Sequence, residues 1–155
     1  MALHPALAAL VGTWHGGGTG VLPGMDPFDY DEEISFLDIG NGDLTYLQRA
    51  WVPGGDVLHA EAGVWRLNDE VGLIVTVAFP RVVEVSIGTA AADRWEVATT
   101  EVARAPGGAQ LVASVRRYRL AGVDFAYEID LAAGNATVPT PHLAGVLTRV
   151  QSVVK

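Results

Sequence analysis

The stretches EISFL at residues 33–37 and LTYLQRAW at residues 44–51 decide the fold class of this chain. In the first stretch apolar residues fall at every second position, and the second stretch is rich in residues that favour strands. Both patterns are typical of β-strands that bury one face. A turn signal, GNG at residues 40–42, separates them. Together they predict two antiparallel strands joined by a tight turn.

Stretches of the same kind, separated by Gly, Pro, Asn and Asp turn signals, occur along the whole chain. They predict roughly ten strands, at residues 12–21, 28–37, 44–51, 57–67, 71–79, 82–89, 95–102, 110–120, 123–132 and 142–150. No long helical period lies between them, so neighbouring strands should pair as hairpins. We therefore predict an all-β fold of the lipocalin and fatty-acid-binding-protein type, a closed antiparallel β-barrel with an internal ligand cavity. Residues 5–11 predict a short helical turn that plugs one end.

Composition limits the function classes that this domain can serve. The chain has 155 residues, which predicts one domain over residues 1–155. Half of the residues are hydrophobic and only 18% are charged, which suggests that apolar side chains line a pocket or a subunit interface, and a homodimer is one expectation. The net charge of −8 argues against nucleic acid and against an anionic membrane surface. Cysteine is absent, so thiolate chemistry is excluded, and we expect a cytoplasmic location.

The sequence GTWHGGGTG at residues 12–20 is the first candidate motif. It contains Gly16-x-Gly18, but no predicted strand precedes it and no predicted helix follows it, so a dinucleotide-binding loop is a poor interpretation. Gly12, Gly16 and Gly18 instead favour a barrel corner at which backbones approach closely. Trp14 would then close the barrel floor.

Two histidines are candidates for chemistry inside the cavity. His142 follows two prolines and begins the last predicted strand, and one neutral imidazole is enough to hold a haem iron. His59 and Glu61 are two residues apart and share a strand face, so they are a candidate proton-transfer pair. A polar outer face is the interpretation that we favour for that pair. His4 and His15 are expected on the surface or the rim.

Two charged clusters are the remaining candidate functional sites. Alternation places Arg116 and Tyr118 on one strand face and Arg117 on the other, so Arg116 either meets an anionic ligand in the cavity or pairs with acidic side chains outside. The acidic run at residues 29–33 lacks the spacing of a calcium loop, and a solvated strand face is predicted there.

An ordered series of motifs resembles the nitrobindin family. Any one of the motifs is weak, but their order and spacing are specific, and they run from about residue 4 to residue 149. The series is Gly12-x-Trp14-x-Gly16-x-Gly18, Leu22-Pro23, PFDYDEE at 27–33, LHAE at 58–61, Val83-Glu84-Val85-x-x-Gly88, Arg116-x-Tyr118-Arg119-Leu120 and His142-Leu143-x-x-Val146-Leu147-x-Arg149.

The resemblance implies a ten-stranded barrel with one haem b per chain, held at the barrel mouth by the histidine that maps onto His142. It also implies binding of nitric oxide at ferric iron and isomerisation of peroxynitrite to nitrate. The family's Tyr-Pro-Thr after the glycine strand is Leu22-Pro23-Gly24 here, so Gly24 stands at a haem-contacting position without the threonine side chain. We expect Arg116 near the haem edge.

A second hypothesis needs no haem. A barrel of this size can hold one small apolar ligand such as a fatty acid. Carriers of that type grip a carboxylate from inside with arginines and a tyrosine, a role that Arg116 and Tyr118 would take if their face points inward.

Overall fold

A computed structural model describes residues 1–151, and they form a closed barrel of ten antiparallel strands. Each strand pairs with its neighbours in the chain, and the first strand closes the barrel against the last. The predicted closed antiparallel barrel is therefore confirmed, while residues 152–155 of the predicted domain lie outside the described residues. The elements are α1 Pro5–Ala8, β1 Gly12–Gly20, β2 Phe28–Asp38, β3 Leu44–Trp51, β4 Val57–Asn68, β5 Gly72–Phe79, β6 Val82–Ala90, β7 Arg94–Arg104, β8 Leu111–Ala121, β9 Asp124–Ala133 and β10 Thr140–Arg149.

The short helix α1 plugs one end of the barrel. Leu7 and Leu10 are fully buried in the main apolar cluster, and burial of such side chains stabilises a fold by about 1.5–3 kcal/mol each. The indole nitrogen of Trp14 donates to the Leu10 carbonyl at 2.9 Å. Arg149 lies over the Trp14 ring and donates to the carbonyl of Ala9 at 2.7 Å. These contacts attach the helical segment to the first and last strands. Among residues 1–151, no helix is long and apolar enough to cross a membrane.

Aromatic side chains fill the barrel above this plug. Phe36 meets Trp65 edge to face with 5.2 Å between ring centroids, and Trp65 lies 5.0 Å from Tyr118. Tyr118 stacks on Phe125 at 5.7 Å, and Trp14 packs against Phe125 at 5.4 Å. Offset and edge-to-face pairs of this kind favour a rigid core. The plugged end is therefore solid, and the internal cavity lies toward the opposite end.

Glycines allow the closing strands β1 and β10 to approach each other. A Cβ atom at Gly16 would lie 2.1 Å from the carbonyl oxygen of Val146, and one at Gly18 would lie 2.2 Å from the carbonyl oxygen of Ala144. No side chain of any kind fits at such distances. The glycine-rich first strand is therefore required by the close contact that seals the barrel.

We expect Gly16→Ala to destabilise the protein by more than about 2 kcal/mol, because the added Cβ collides with backbone that cannot move without opening the β1–β10 ladder. Urea denaturation measures this loss. Gly54→Asn is the matched control, since Gly54 lies in open space at φ +68, where asparagine is tolerated. Equal stability of the Gly16→Ala protein and the wild type would contradict the role given to the closing glycines.

Candidate functional site: a cavity with an apolar mouth and a polar base

A cavity of about 440 Å³ occupies the barrel end opposite α1. This volume lies within the roughly 300–1,000 Å³ of small-molecule sites. Most of the side chains around the cavity mouth are apolar; they include Leu22, Phe28, Phe79, Leu111, Leu131 and Leu143. The mouth therefore suits a largely apolar ligand.

His142 lines this cavity because β10 is irregular at that point. Its neighbours Pro141 and Leu143 pair with adjacent residues of β9, so His142 is the extra residue of a β-bulge. A bulge redirects the side chain of the extra residue, and both His142 and Leu143 line the cavity as a result.

Two hydrogen bonds fix His142 to Val21. The amide of Val21 donates to the carbonyl of His142 at 2.8 Å, and Nδ1 of His142 lies 2.9 Å from the Val21 carbonyl oxygen. A carbonyl oxygen only accepts, so Nδ1 carries a proton, and in the neutral imidazole Nε2 is the nitrogen with the lone pair. A backbone partner at one ring nitrogen is the arrangement that orients a metal-binding histidine.

Gly24, unlike His142, is not among the residues that line the cavity. It lies in an exposed turn at φ +77, where the Met25 amide donates to the Leu22 carbonyl at 3.1 Å. A Cβ atom at Gly24 would meet nothing within 4 Å, and in this structure it is Leu22, not Gly24, that lines the cavity. The structure therefore does not bring Gly24 together with His142.

The base of the cavity is polar and is built around Arg116, which is 5% exposed. Its Nη1 donates to Glu61 at 2.8 Å, and its Nε lies 3.4 Å from Glu84. The hydroxyls of Ser86 and Ser114 donate to the same Glu84 oxygen at 2.9 and 2.8 Å. Burial alone would raise the pKa of Glu61, but the Arg116 guanidinium outweighs burial and holds that pKa below its usual range. Glu61 is therefore a carboxylate at neutral pH.

The polar base continues from Glu61 to Glu32. The Tyr46 hydroxyl donates to Glu61 at 2.5 Å and also lies against Gln48, whose amide nitrogen donates to Glu32. Glu32 is 1% exposed, and its second oxygen accepts from the Tyr127 hydroxyl at 2.6 Å. Burial raises the pKa of Glu32 to about 7, because few charges compensate it there.

His59 links the polar base to the mouth. Its Nε2 lies 3.0 Å from Glu61, its ring packs near Phe79, and it lines the cavity. The predicted outer polar face for His59 and Glu61 is therefore wrong, because both side chains point inward. Arg116 also points inward with Tyr118, but its partners are carboxylates inside the barrel.

The acidic run at residues 29–33 also needs correction, because Glu32 is buried inside the barrel. Its inward direction follows from alternation, since Glu32 has the same parity as Ile34 and Phe36, which the pattern assigns to the core. By the same alternation, Glu61 lies on the same inward face of β4 as Trp65. The solvated strand face predicted for this run is thus wrong at Glu32, although the period-two signal was present in the sequence.

The remaining histidines lie outside the cavity. His15 is exposed and lies 2.5 Å from Glu33 on the outer face. His4 accepts from the Ala6 amide at 3.2 Å and caps α1.

Comparison with known proteins gives a family match over nearly the whole chain. The family described as "THAP4-like, heme-binding beta-barrel domain" matches residues 4–149. The chain is 34% identical to Peroxynitrite isomerase 1 of Mycolicibacterium paratuberculosis, over 95% of this chain and 96% of that protein. It is 37% identical to Peroxynitrite isomerase of Nocardia farcinica, over 96% and 94%.

Solved structures agree on the fold. The crystal structure of Rv2717c from M. tuberculosis superposes with a TM-score of 0.84 at 31% identity, covering 97% of this chain and 100% of that one. A redesigned β-barrel, mFAP1 bound to DFHBI, has a TM-score of 0.52 at 12% identity and shares the barrel architecture alone.

The raised pKa of Glu32 predicts a pH dependence of stability. Glu32 is protonated in the folded state up to about pH 7, whereas its unfolded-state pKa is 4.5, so unfolding releases a proton between these values. The free energy of unfolding should therefore fall by about 3 kcal/mol as pH rises through this window. Glu32→Gln should remove that fall.

Urea denaturation at a series of pH values measures this dependence. Glu33→Gln is the control, because Glu33 lies on the outer face of the same strand and interactions with His15 and Arg49 lower its pKa. The control protein should keep the fall. A fall of equal size in the Glu32→Gln protein would show that another group is responsible.

Proposed function

The chain belongs to the family of THAP4-like, heme-binding β-barrel domains, and from that premise we propose that it binds one haem b per chain through His142 and isomerises peroxynitrite to nitrate. We also propose nitric oxide as a ligand of the same site. The family match supports haem as the cofactor, and the names of the relatives support the reaction.

The state of His142 is the observation that carries this proposal. Val21 holds its Nδ1 proton, so Nε2 offers a lone pair in a cavity of about 440 Å³. One nitrogen suits a metal that brings its other ligands with it, as haem iron does. The bulge at His142 fixes the direction of its side chain through the backbone. The imidazole is therefore held rigidly as an iron ligand.

The cavity lining is apolar at the mouth and polar at the base, and this arrangement fits haem. The apolar side chains at the mouth, among them Phe28 and Leu143, match the faces of a macrocycle. At the base, Glu61 and Glu84 disfavour an anionic group, so propionates are expected at the solvent side. The predicted contact between Arg116 and the haem edge stays a prediction.

In the proposed mechanism the protein binds, orients and excludes water. His142 would hold the iron through Nε2, and the Val21 carbonyl accepts from Nδ1 and so fixes the rotation of the imidazole. Leu22, Phe28 and Leu143 keep water from the reacting atoms. When bound, ferric haem would supply a Lewis acid suited to weakening the O–O bond of peroxynitrite. The apolar side chains of the cavity would hold the anion at the site and keep it from bulk water.

The fatty-acid carrier has less support from the geometry. Arg116 would have to grip the ligand carboxylate, but Glu61 and Glu84 already occupy it. A third carboxyl group, Glu32, lies in the same layer. An added carboxylate would face this acidic surplus without a free cation.

Titration of the purified chain with hemin tests the cofactor proposal. We expect a Soret band from a one-to-one complex, and His142→Ala should weaken binding by about tenfold or more, equivalent to about 1.4 kcal/mol. His15→Ala is the matched control, because His15 lies on the outer face. Added imidazole should restore a histidine-like spectrum to the His142→Ala protein. An unchanged spectrum in that variant would overturn the ligand assignment.

Stopped-flow measurement of peroxynitrite decay tests the reaction separately. The haem-loaded protein should accelerate the decay and raise the nitrate yield at the expense of nitrite, and the chain without haem should not. Haem binding without acceleration would refute the isomerase proposal and leave the cofactor proposal intact. Native mass spectrometry of the protein as isolated distinguishes a haem adduct from a lipid adduct.

A further inference from the structure

Two tyrosine hydroxyls form a short chain of hydrogen bonds that ends on a buried carboxyl group. The hydroxyls of Tyr30 and Tyr127 lie 2.5 Å apart, and Tyr127 lies 2.6 Å from Glu32. Tyr127 has one proton and donates it to the Glu32 carboxylate, so Tyr30 donates to the Tyr127 oxygen, which lies much nearer than its other acceptor, the Ala144 carbonyl at 3.5 Å. The chain therefore has one direction, from Tyr30 through Tyr127 to Glu32.

Both phenols lie on the inner side of the barrel wall, where Tyr30 and Tyr127 are buried. Tyr30 lines the cavity that contains His142, whereas Tyr127 is among the residues around a groove that also contains the outward residues Arg117 and Glu128. The pair therefore has one member at the cavity.

Glycines make room for the two phenols. A Cβ atom at Gly18 would lie 2.5 Å from the Tyr30 hydroxyl, and one at Gly145 would lie 2.8 Å from the Tyr127 hydroxyl. Glycine in a strand interior weakens the strand, and here two facing glycines in β1 and β10 admit the phenols. The glycines of the closing strands therefore lie at the positions that accommodate the tyrosine pair.

We propose that Tyr30 and Tyr127 are a redox-active pair that reduces a one-electron oxidant in the cavity, with Glu32 accepting the displaced proton. The oxidant is the nitrogen dioxide radical, which forms when the O–O bond of peroxynitrous acid breaks homolytically. The step is balanced: nitrogen dioxide takes one electron and becomes nitrite, and Tyr30 becomes a neutral tyrosyl radical. The Tyr30 proton moves to the Tyr127 oxygen, and the Tyr127 proton moves to Glu32.

The local chemistry favours coupled loss of an electron and a proton. Burial raises the pKa of Tyr30 to about 12, so the phenol is neutral at physiological pH and its oxidation must release a proton. A hydrogen-bonded acceptor removes the need to form a buried charged radical. Glu32 can take that proton only as a carboxylate, so the oxidation should slow as pH falls through about 7.

Other charged and titratable groups surround Glu32. They are Tyr30 on its own strand, Glu61 and His59 on β4, Tyr118 on β8 and Tyr127 on β9, with neutral Gln48 on β3 and Arg116 on β8 beyond Glu61. Arg116 holds the pKa of Glu61 below its usual range. Glu32 is a carboxyl group of this layer whose protonation changes near neutral pH.

This inference rests on the proposed function only for the origin of the oxidant. Its test therefore uses the full chain without haem, and nitrogen dioxide radical is generated by pulse radiolysis of nitrate solutions. Transient absorption detects tyrosyl radicals, and peptide mass spectrometry maps 3-nitrotyrosine. The four tyrosines at positions 30, 46, 118 and 127 make a complete assignment feasible.

We expect the radical and the nitration mainly at Tyr30. Tyr30→Phe should remove most of the fast tyrosyl signal, and Tyr127→Phe should slow it because the relay is cut. Tyr118→Phe is the matched control, since Tyr118 is equally buried but belongs to the aromatic floor. Circular dichroism verifies folding of each variant. Nitration at Tyr46 or Tyr118 in place of Tyr30, or an unchanged signal in Tyr30→Phe, would overturn the proposal.

The proton acceptor has its own test. Glu32→Gln should slow tyrosyl formation at pH 8 by about tenfold or more, because a positioned acceptor contributes about 10²–10⁴ to proton transfer. The same variant should lose the pH dependence near 7, and Glu33→Gln should keep it. An unchanged rate and pH profile in Glu32→Gln would refute the role of Glu32. Failure of haem binding would leave all of these outcomes measurable.

Discussion

Closure of the barrel between β1 and β10 is the constraint on which the rest of the structure depends. These strands meet so closely that Gly16 and Gly18 have no room for a side chain. The same ladder ends beside His142, whose bulge and contacts with Val21 direct the imidazole into the cavity. At its other end Arg149 attaches the plug helix. One backbone contact therefore seals the barrel, positions the candidate iron ligand and closes the floor.

The interior has three layers with different chemistry. Aromatic side chains fill the plugged end, a polar layer around Arg116 and Glu61 lies above them, and an apolar mouth lies beside His142. Buried ion pairs of this kind are weak contributors to stability, because desolvation offsets the attraction. Two atoms of this layer, Oε2 of Glu84 and Nε of Arg116, have no hydrogen-bond partner among the described residues. The cost of this layer indicates that it serves function more than stability.

Much of this structure was predictable because strand alternation is local. The ten strands, the strand face shared by Arg116 and Tyr118, and the plug helix follow from period and punctuation, whereas the inward direction of that face does not. The burial of Glu32 was also predictable, since Glu32 lies on the same alternating positions of β2 as Ile34 and Phe36. It was assigned to solvent because acidic residues are rarely buried, and tertiary pairing with Tyr127 and Gln48 overrode that expectation.

The sequence by itself determined a closed antiparallel barrel, because apolar alternation and turn spacing are properties of the chain alone. Its ordered motifs added the resemblance to a haem-binding family. Only the tertiary structure decided which polar groups meet. Tyr30 and Tyr127 are 97 residues apart, and Glu61 and Arg116 are 55 residues apart, and neither pair has a signal in local spacing. These contacts arise from the register with which ten strands close on themselves. That register also determined that the cavity has an acidic base where the composition suggested an apolar one.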